Sequence, residues 1–323
     1  MDKTETIKNL FPREFHGMLK SLPDIMGQLQ EIRLRVNCPC LFIVNRKEKY
    51  PARDGSLSAS KENAVIFNKD EIAAVFNHIC NYSPYAYESQ LRQGYLTVAG
   101  GHRVGIFGQT VMEGNQVILM KQVQFLHIRI VHEVRGVAKE LLPFLYEDGQ
   151  ILNTLVISPP GAGKTTMLRD IARMASDGNT FHPGLQVCII DERSEIAGSY
   201  MGVPQNHVGI RSDVLDGCPK AVGMLMAVRA MGPQLIVVDE LGLKEDYEAL
   251  ICASGCGIKL LASIHGNNLD DIWKKHGDER NIVSEVFRRF LVLGWEKNRE
   301  AFSQRWELFD ESGKRLAKKE EER

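Results

Sequence analysis

The chain has 323 residues, of which 44% are hydrophobic and 25% are charged, and its formal net charge is −1. This length allows two domains that each bury a core, since a domain takes roughly 150 residues. The near-neutral charge excludes a general electrostatic attraction to nucleic acid or to anionic lipid. No apolar run approaches the ~20 residues of a membrane-spanning helix, and the mixed, polar start lacks the pattern of a secretory signal. The sequence therefore predicts a cytoplasmic protein.

The segment 1–130 predicts a smaller α+β domain. Apolar and basic residues alternate at 32–36, which predicts a half-buried strand. Asp70 is expected to cap a helix, because apolar residues then recur at helical spacing. Turns at 100–101 and 113–115 separate short apolar runs, which predicts consecutive antiparallel hairpins. Their strands are expected at 95–98, 104–107 and 117–120.

The pattern then changes to strands that alternate with helices, so a second domain is expected to span 131–323. Uninterrupted β-branched runs are typical of strands that helices cover on both faces. The sequence therefore predicts an α/β domain with a mainly parallel sheet. The almost wholly charged tail at 314–323 predicts a solvated helix end or disorder. Buried strands are expected at 155–157, 187–190, 235–238 and 260–264.

The strongest motif is SPPGAGKTT at 158–166, directly after a buried strand and directly before an amphipathic helix. Its glycines let backbone amides approach an anion, and the helix N-terminus adds partial positive charge. In this pattern Lys164 reaches the β and γ phosphates of ATP, and Thr165 holds Mg²⁺. Ser158 replaces the first glycine of the consensus, which costs backbone freedom. The expected nucleotide-binding residues are Pro160, Gly161, Ala162, Gly163, Lys164, Thr165 and Thr166.

An acidic pair follows another predicted buried strand. A P-loop ATPase needs an acid that organises the metal and a base that orients water, normally at the end of a neighbouring strand. Asp239 and Glu240 come directly after the strand at 235–238. We expect Asp239 to lie in the outer shell of Mg²⁺ and Glu240 to polarise the attacking water. The alternative is a surface acidic pair after a core strand.

Two further strand ends carry reactive side chains. Asp191, Glu192 and Glu195 follow the second predicted strand of this domain. Because ligands bind beyond the carboxyl ends of parallel strands, we expect these acids to face the nucleotide pocket. A salt-bridged loop is the alternative. His265 ends the fourth strand and is expected to contact the γ phosphate or the catalytic water, the alternative being a surface histidine.

The order of these segments resembles the type II and type IV secretion ATPases, in which they are called the Walker A, Asp, Walker B and His boxes. Within that superfamily, SPPGAGKTTMLRD, IIDERSEIAG, VVDELG, EIRLRV and GGHRVGIFG look like a family of sporulation proteins from endospore-forming bacteria. Together these motifs sample nearly the whole chain. The resemblance places Glu240 on the Walker B glutamate and His265 on the His-box histidine. It places Asp191 and Glu195 on the Asp-box acids.

The acidic boxes depart from the secretion ATPases in two places. Those ATPases usually have Gly-Glu where this chain has Asp239 and Glu240, and Glu-Asp where it has Asp191 and Glu192. Which acid is the main catalytic one therefore stays open.

The resemblance also implies an assembly and a task. It implies a RecA-like motor domain behind the smaller N-terminal domain, assembled as a homo-oligomeric ring that is expected to be a hexamer. ATP hydrolysis would power or gate a secretion-like membrane channel, in the sporulation case between mother cell and forespore. The expected partners are integral membrane proteins of that complex, with the chain bound peripherally on the mother-cell side of the forespore membrane.

Two other functions stay open. RecA-like domains also serve nucleic-acid motors, but the near-zero charge and the absence of a basic and aromatic stripe in the sequence argue against a nucleic-acid partner. A nucleotide-binding scaffold without activity would fit the altered first position of the P-loop. The joint presence of Lys164, Thr165, Asp239 and Glu240 argues against that scaffold.

An arginine is also expected in the active site. The transition state of phosphoryl transfer spreads charge over several oxygens, and one lysine with Mg²⁺ leaves room for a planar cation. We expect Arg103 or Arg129 to complete the site from the N-terminal domain or from a neighbouring subunit, because the ring ATPases that this chain resembles place arginines there. A surface salt bridge is the alternative for each. The competitors in the second domain are Arg193, Arg211 and Arg229.

Overall fold

The structure, a computed structural model, describes residues 3–114, 116–275, 279–297 and 302–319. The chain divides into two units, Met1–His132 and Glu133–Arg323. The boundary expected from the sequence, at residue 130, lies close to this division. None of the helices in the described ranges combines the length and the apolar character that crossing a membrane requires.

The first unit is built on one antiparallel sheet. Its strands are β1 (Leu29–Arg35), β2 (Leu41–Val44), β3 (Lys47–Pro51), β4 (Leu57–Ser58), β5 (Tyr95–Val98), β6 (His102–Glu113) and β7 (Gln116–Arg129). Its α-helices are α1 (Lys3–Lys8), α2 (Leu22–Ile25), α3 (Lys69–Ile79) and α4 (Glu88–Arg92). The strands lie in the order β4-β3-β2-β1-β7-β6-β5, and every neighbouring pair is antiparallel. The predicted hairpins of β5, β6 and β7 are therefore present.

The start of α3 differs from the prediction. Asn68 caps the helix instead of Asp70: its side chain accepts a hydrogen bond from the Glu71 amide at 2.9 Å. The Glu71 carboxylate in turn accepts one from the Asn68 amide at 2.7 Å. This reciprocal capping box satisfies two amides at once, which explains why the helix begins at Lys69.

The second unit contains the P-loop motif. Its strands are β8 (Tyr146–Glu147), β9 (Gln150–Ile151), β10 (Thr154–Ser158), β11 (Val187–Asp191), β12 (Ser212–Asp216), β13 (Leu235–Val238), β14 (Lys259–His265), β15 (Arg289–Lys297), β16 (Phe302–Asp310) and β17 (Arg315–Lys319). Its helices are α5 (Leu142–Leu145), α6 (Lys164–Asp177), α7 (Lys220–Ala230), α8 (Lys244–Gly255), α9 (Leu269–Lys275) and α10 (Glu279–Val286).

Eight of these strands form a mixed sheet in the order β12-β11-β13-β14-β10-β15-β16-β17. All pairs from β12 to β15 are parallel, and β15, β16 and β17 pair antiparallel. Strands β10, β11 and β13 are buried along their whole length. Val156 belongs to an apolar cluster that includes residues of α6, whereas Leu155 and Ile157 belong to one that includes residues of α7 and α8. Helices therefore cover both faces, as the sequence predicts.

The charged tail is a correction to the sequence prediction. Residues Arg315–Lys319 form β17, which pairs antiparallel with β16, instead of a helix end or a disordered segment. The reason is that Leu316 and Ala317 pack against an apolar cluster of the second unit. The rest of that tail, 320–323, lies outside the described residues, as does Asn115 of the predicted turn at 113–115.

Candidate active site

The P-loop has glycine where its backbone requires it. Strand β10 ends at Ser158, and residues 159–163 lead directly into α6. Gly161 and Gly163 have φ values of 77° and 84°, a left-handed conformation that favours glycine. Ser158 lies in the extended conformation of β10, so its side chain costs no backbone strain. It is fully buried, and its carbonyl accepts a hydrogen bond from the Gly266 amide at 3.2 Å.

Lys164, the first residue of α6, lies between two carboxylates. Its Nζ is 2.9 Å from Oδ1 of Asp239 and 3.2 Å from Oε1 of Glu240. The lysine side chain is 9% exposed, and the two acids are 15% and 25% exposed. A lysine held this way by carboxylates can exchange them for phosphate oxygens, which carry the same sign of charge.

Asp239, just beyond β13, connects the P-loop helix to the neighbouring strand β14. Its Oδ2 accepts a hydrogen bond from the Thr165 hydroxyl at 2.8 Å, and its Oδ1 accepts one from the Ser263 hydroxyl. Hydroxyl and carboxylate oxygens are the ligands that Mg²⁺ prefers. Thr165 and Asp239 therefore fit the predicted metal site.

Glu240 is surrounded by three basic side chains. Its backbone has a φ of 58°, which is uncommon outside glycine, and its amide donates to Ser263 Oγ at 2.9 Å. Oε1 lies 2.5 Å from Nε2 of His265 as well as beside Lys164, and Oε2 lies 2.7 Å from Nη1 of Arg193. His265 pairs in register with the last residue of β10, so the strand order brings it to the P-loop.

Both acids are held in the ionised form in spite of their burial. Burial raises the pKa of Asp239, but Lys164 and the neighbouring hydrogen bonds lower it more, so the pKa lies below its usual value. Burial also raises the pKa of Glu240, and Lys164 with the other two basic groups outweighs that effect. An ionised carboxylate at this position can accept a proton from water.

A cavity of about 390 Å³ opens beside this cluster, within the usual range of small-molecule sites. Pro160 and Thr166 line it together with the two P-loop glycines, Lys164 and Thr165, whereas the side chain of Ala162 is buried. Glu195, Glu240 and His265 close the other side. A larger cavity of about 550 Å³ around Gly149, Gly232 and Gly257 contains no P-loop residue.

Asp191 lines a narrow gap together with Glu195, Asp239 and Glu240. Its side chain is 1% exposed, and its two oxygens accept hydrogen bonds from the amides of Glu195 and Ala197, each at 2.8 Å. Burial raises the pKa of Asp191 to about 6, against the lowering effect of these amides. The loop after β11 turns back on itself and uses this carboxylate to satisfy its own backbone donors.

The other two acids of this loop have separate positions. The Glu192 carboxylate pairs with the ammonium of Lys220 at the start of α7, which is the salt-bridged alternative considered for this loop. Glu195 lines the P-loop cavity, and its carbonyl accepts a hydrogen bond from Arg169. All three acids predicted from this strand end line the narrow gap beside Asp239 and Glu240, and Glu195 also lines the P-loop cavity.

Two residues of the site were not predicted from the sequence. Arg169 is buried on α6 and donates to the carbonyls of Ile196 at 2.5 Å and Glu195 at 2.7 Å. Ser263 donates to Asp239 and accepts from the Glu240 amide. The sequence offered one signal for each residue: Arg169 lies in the apolar stripe of a helix, and Ser263 lies within a buried strand. Buried polar groups need hydrogen-bond partners, so both positions indicate a tertiary contact.

Arg103 and Arg129 lie opposite each other on β6 and β7 in the first unit. The Arg103 guanidinium stacks 3.6 Å from the ring centroid of Tyr95. The Arg129 Nε is 3.9 Å from Oε1 of Glu31, and this arginine side chain is 69% exposed. The register therefore places both candidate arginines on the same face of the sheet.

The three competing arginines of the second unit have different surroundings. Arg193 contacts Glu240 directly. Arg211 donates to the carbonyl of Ser176 at 2.9 Å and so serves the loop structure. Arg229 is exposed on α7. Among these three, the structure brings Arg193 to the site.

The family described as "Sporulation stage III, protein AA" matches residues 1–316. Stage III sporulation protein AA of Bacillus subtilis (strain 168) is 36% identical over 313 residues, which cover 97% of each chain. Among solved structures, the Legionella pneumophila ATPase DotB aligns with a TM-score of 0.59 at 15% identity, over 93% of this chain and 82% of that one. The pilus retraction motor PilT, solved with bound ADP, aligns with a TM-score of 0.56 at 14% identity, over 90% and 81%. These two likenesses concern the fold.

Proposed function

This chain belongs to the stage III sporulation protein AA family, and we propose that it is a Mg²⁺-dependent ATPase that powers or gates a secretion-like membrane channel during endospore formation. The observation that carries the proposal is the cluster of buried Lys164 with the partly exposed Asp239 and Glu240 beside a glycine-rich phosphate cradle. The second unit is then a RecA-like ATPase domain and the first an N-terminal domain. The fold shared with an ATPase and with a pilus motor supports the same interpretation.

The site residues divide the chemistry among them. When ATP enters the cradle, Lys164 leaves the carboxylates for the β and γ phosphates. Thr165 and Asp239 would hold Mg²⁺, which would supply positive charge against the phosphates. Glu240 accepts a proton from water, whose oxygen bonds to the γ phosphorus while the bond to the β–γ bridging oxygen breaks and ADP leaves. His265 contacts Glu240 and orients it toward that water.

We further propose that Arg103 or Arg129 completes this site in a ring, expected to be a hexamer, by contacting the nucleotide of a neighbouring subunit. A planar guanidinium matches phosphoryl oxygens, and a supplied arginine is worth roughly 10³ or more in kcat in related phosphoryl-transfer enzymes. The channel partners are integral membrane proteins, and the chain acts from the cytoplasm of the mother cell at the forespore membrane.

A second candidate function, a nucleic-acid-stimulated motor, is favoured by one surface of the first unit. Register places Arg35, Phe125 and Phe107 side by side on β1, β7 and β6. Phe107 is 58% exposed and Phe125 39% exposed, and exposed aromatics among arginines suit stacked bases. This stripe is invisible in the sequence because its members come from three separate strands.

Steady-state phosphate release by the purified chain, with Mg²⁺ and ATP, tests the proposal. We expect hydrolysis that depends on Mg²⁺, disappears in Lys164→Ala, and does not change when single-stranded DNA is added. Stimulation by the DNA that is lost in Phe107→Ala would favour the motor instead. Absence of hydrolysis under all conditions would refute both and leave a nucleotide-binding scaffold.

A further inference from the structure

Arg193 connects the loop after β11 to the Walker B glutamate. Its Nη1 lies 2.7 Å from Oε2 of Glu240, the carboxylate oxygen that faces away from Lys164 and His265. The arginine side chain is 60% exposed, so the pair adds little to the stability of the fold. Its position beside the proposed base therefore points to a role in the reaction.

Several independent contacts fix the backbone that carries Arg193. Asp191 binds two amides of the loop, and Arg169 binds two of its carbonyls. Glu192 pairs with Lys220, and the Ser194 hydroxyl donates to Asp216 at 2.6 Å. A loop tied at this many points holds the arginine in one place without further ordering cost, which is what a positioning residue needs.

Substrate binding changes which cations hold Glu240. In the structure, Lys164 shares its charge between Asp239 and Glu240. An ammonium that moves to the β and γ phosphates no longer faces Glu240 at 3.2 Å. Arg193 is then the permanent cation beside this carboxylate, because a guanidinium stays protonated at all relevant pH values.

We propose that Arg193 is a positioning residue for hydrolysis: it holds the Glu240 carboxylate in its orientation once Lys164 has moved to the phosphates of ATP. This inference rests on the proposed ATPase function. It assigns the loop after β11 a task in catalysis that its acids do not perform directly. It also differs from the task of Arg103 or Arg129, which is to contact the phosphates.

The charged groups that face Glu240 come from four elements: Lys164 from α6, Arg193 from the loop after β11, Asp239 from the end of β13, and His265 from β14. Asp191, Glu192, Glu195 and Lys220 line the same narrow gap. Removal of Arg193 takes away the guanidinium that contacts Oε2 of Glu240, so the carboxylate should lose its fixed orientation. A base that is no longer held toward the attacking water should lower kcat.

The test compares Arg193→Gln and Arg193→Lys with wild type in kcat and in KM for ATP. Arg193→Gln should lower kcat about tenfold and change KM for ATP by less than about twofold. Arg193→Lys should bring kcat back toward wild type, because an ammonium can still pair with Glu240. Arg288→Gln is the matched control, because Arg288 forms a similarly exposed pair with Glu311, at 3.1 Å and 58% exposure.

Four results would overturn the inference. A kcat as low in Arg193→Lys as in Arg193→Gln would mean that the positive charge at this position does not orient Glu240. A raised KM with unchanged kcat would make Arg193 a phosphate-binding residue. Wild-type protein without ATPase activity would remove this inference together with the proposed function, whereas an active wild type and a normal Arg193→Gln would remove this inference alone.

Discussion

Lys164→Ala should destabilise the folded protein in a pH-dependent way, quite apart from its effect on ATP. In the wild type the ammonium compensates two carboxylates that are 15% and 25% exposed. Its removal leaves Asp239 with the hydroxyls of Thr165 and Ser263, and Glu240 with its remaining basic neighbours. The perturbation therefore leaves negative charge undercompensated in a largely buried site.

The size of this effect follows from the contact distances. At an effective dielectric constant of about 20, unit charges about 3 Å apart attract by about 5–6 kcal/mol. Desolvation of the lysine offsets part of this, and the loss of one partner of a buried pair typically costs about 3–5 kcal/mol. Because both acids keep other partners, we expect the free energy of unfolding to fall by about 3 kcal/mol at pH 7.

The pH dependence has a definite sign. The pKa of Asp239 and of Glu240 lies below its ordinary value in the folded wild type. An acid of this kind adds stability above its unfolded pKa, near about 4, and that stability is lost as the pH falls through the folded pKa. In Lys164→Ala the lysine no longer lowers the pKa of these two acids, so the raising effect of burial is less opposed. The difference between the two proteins should therefore be largest near neutral pH and shrink below about pH 4.

Urea denaturation of both proteins at several pH values, without nucleotide, measures the difference directly. Lys244→Ala is the matched control, since Lys244 and Glu248 form an exposed pair at 3.7 Å, whose loss should cost less than about 1 kcal/mol. Equal stability of Lys164→Ala and wild type at pH 7 would contradict the claim that Lys164 compensates two ionised carboxylates. A stability difference that does not change with pH would contradict it as well.

The remaining predictions concern the metal, the loop after β11 and the arginines. Thr165→Val should weaken ATP binding about tenfold in Mg²⁺ but little in EDTA, measured with a fluorescent nucleotide. Because burial raises the pKa of Asp191 to about 6, its ionisation costs stability as the pH rises from about 4 through 6. The midpoint of thermal unfolding should therefore vary less with pH over that window in Asp191→Asn than in wild type. Equal slopes of the midpoint against pH in the two proteins would contradict this. Arg103→Ala or Arg129→Ala subunits should each be impaired alone and regain activity when mixed with Lys164→Ala subunits. No gain over the sum of the two proteins would contradict a shared site.

The P-loop and the acids after β13 were predictable because each is a local pattern after a buried strand. Asp239 lies within hydrogen-bond distance of Lys164 and Thr165, and Glu240 lies close to Lys164. These contacts form because β13, β14 and β10 are consecutive strands of a parallel sheet, so their carboxyl ends meet at the same edge. The parallel sheet that this requires follows from uninterrupted β-branched runs. Local patterns thus predicted that these side chains lie together, without any knowledge of their contacts.

The contacts that orient these groups were not predictable from the sequence. Asp191 looks like a strand-end acid, and the sequence does not show that its two oxygens accept hydrogen bonds from amides of its own loop. Arg193 looks like one of many exposed arginines, and its contact with Glu240 depends on the path of a loop 47 residues away in sequence. Ser263 and Arg169 take their roles from tertiary neighbours, which periodicity does not encode.

The central claim is that Glu240 is the base of an ATPase site built on Lys164 and Asp239. Phosphate release by Glu240→Gln, measured beside wild type at ATP concentrations that saturate both, tests it most directly. The variant keeps the shape of the side chain but cannot accept the proton, so ATP should bind as in wild type while turnover falls by roughly 10² or more. Equal turnover of an active wild type and Glu240→Gln would contradict the claim and move the base to another acid of the site.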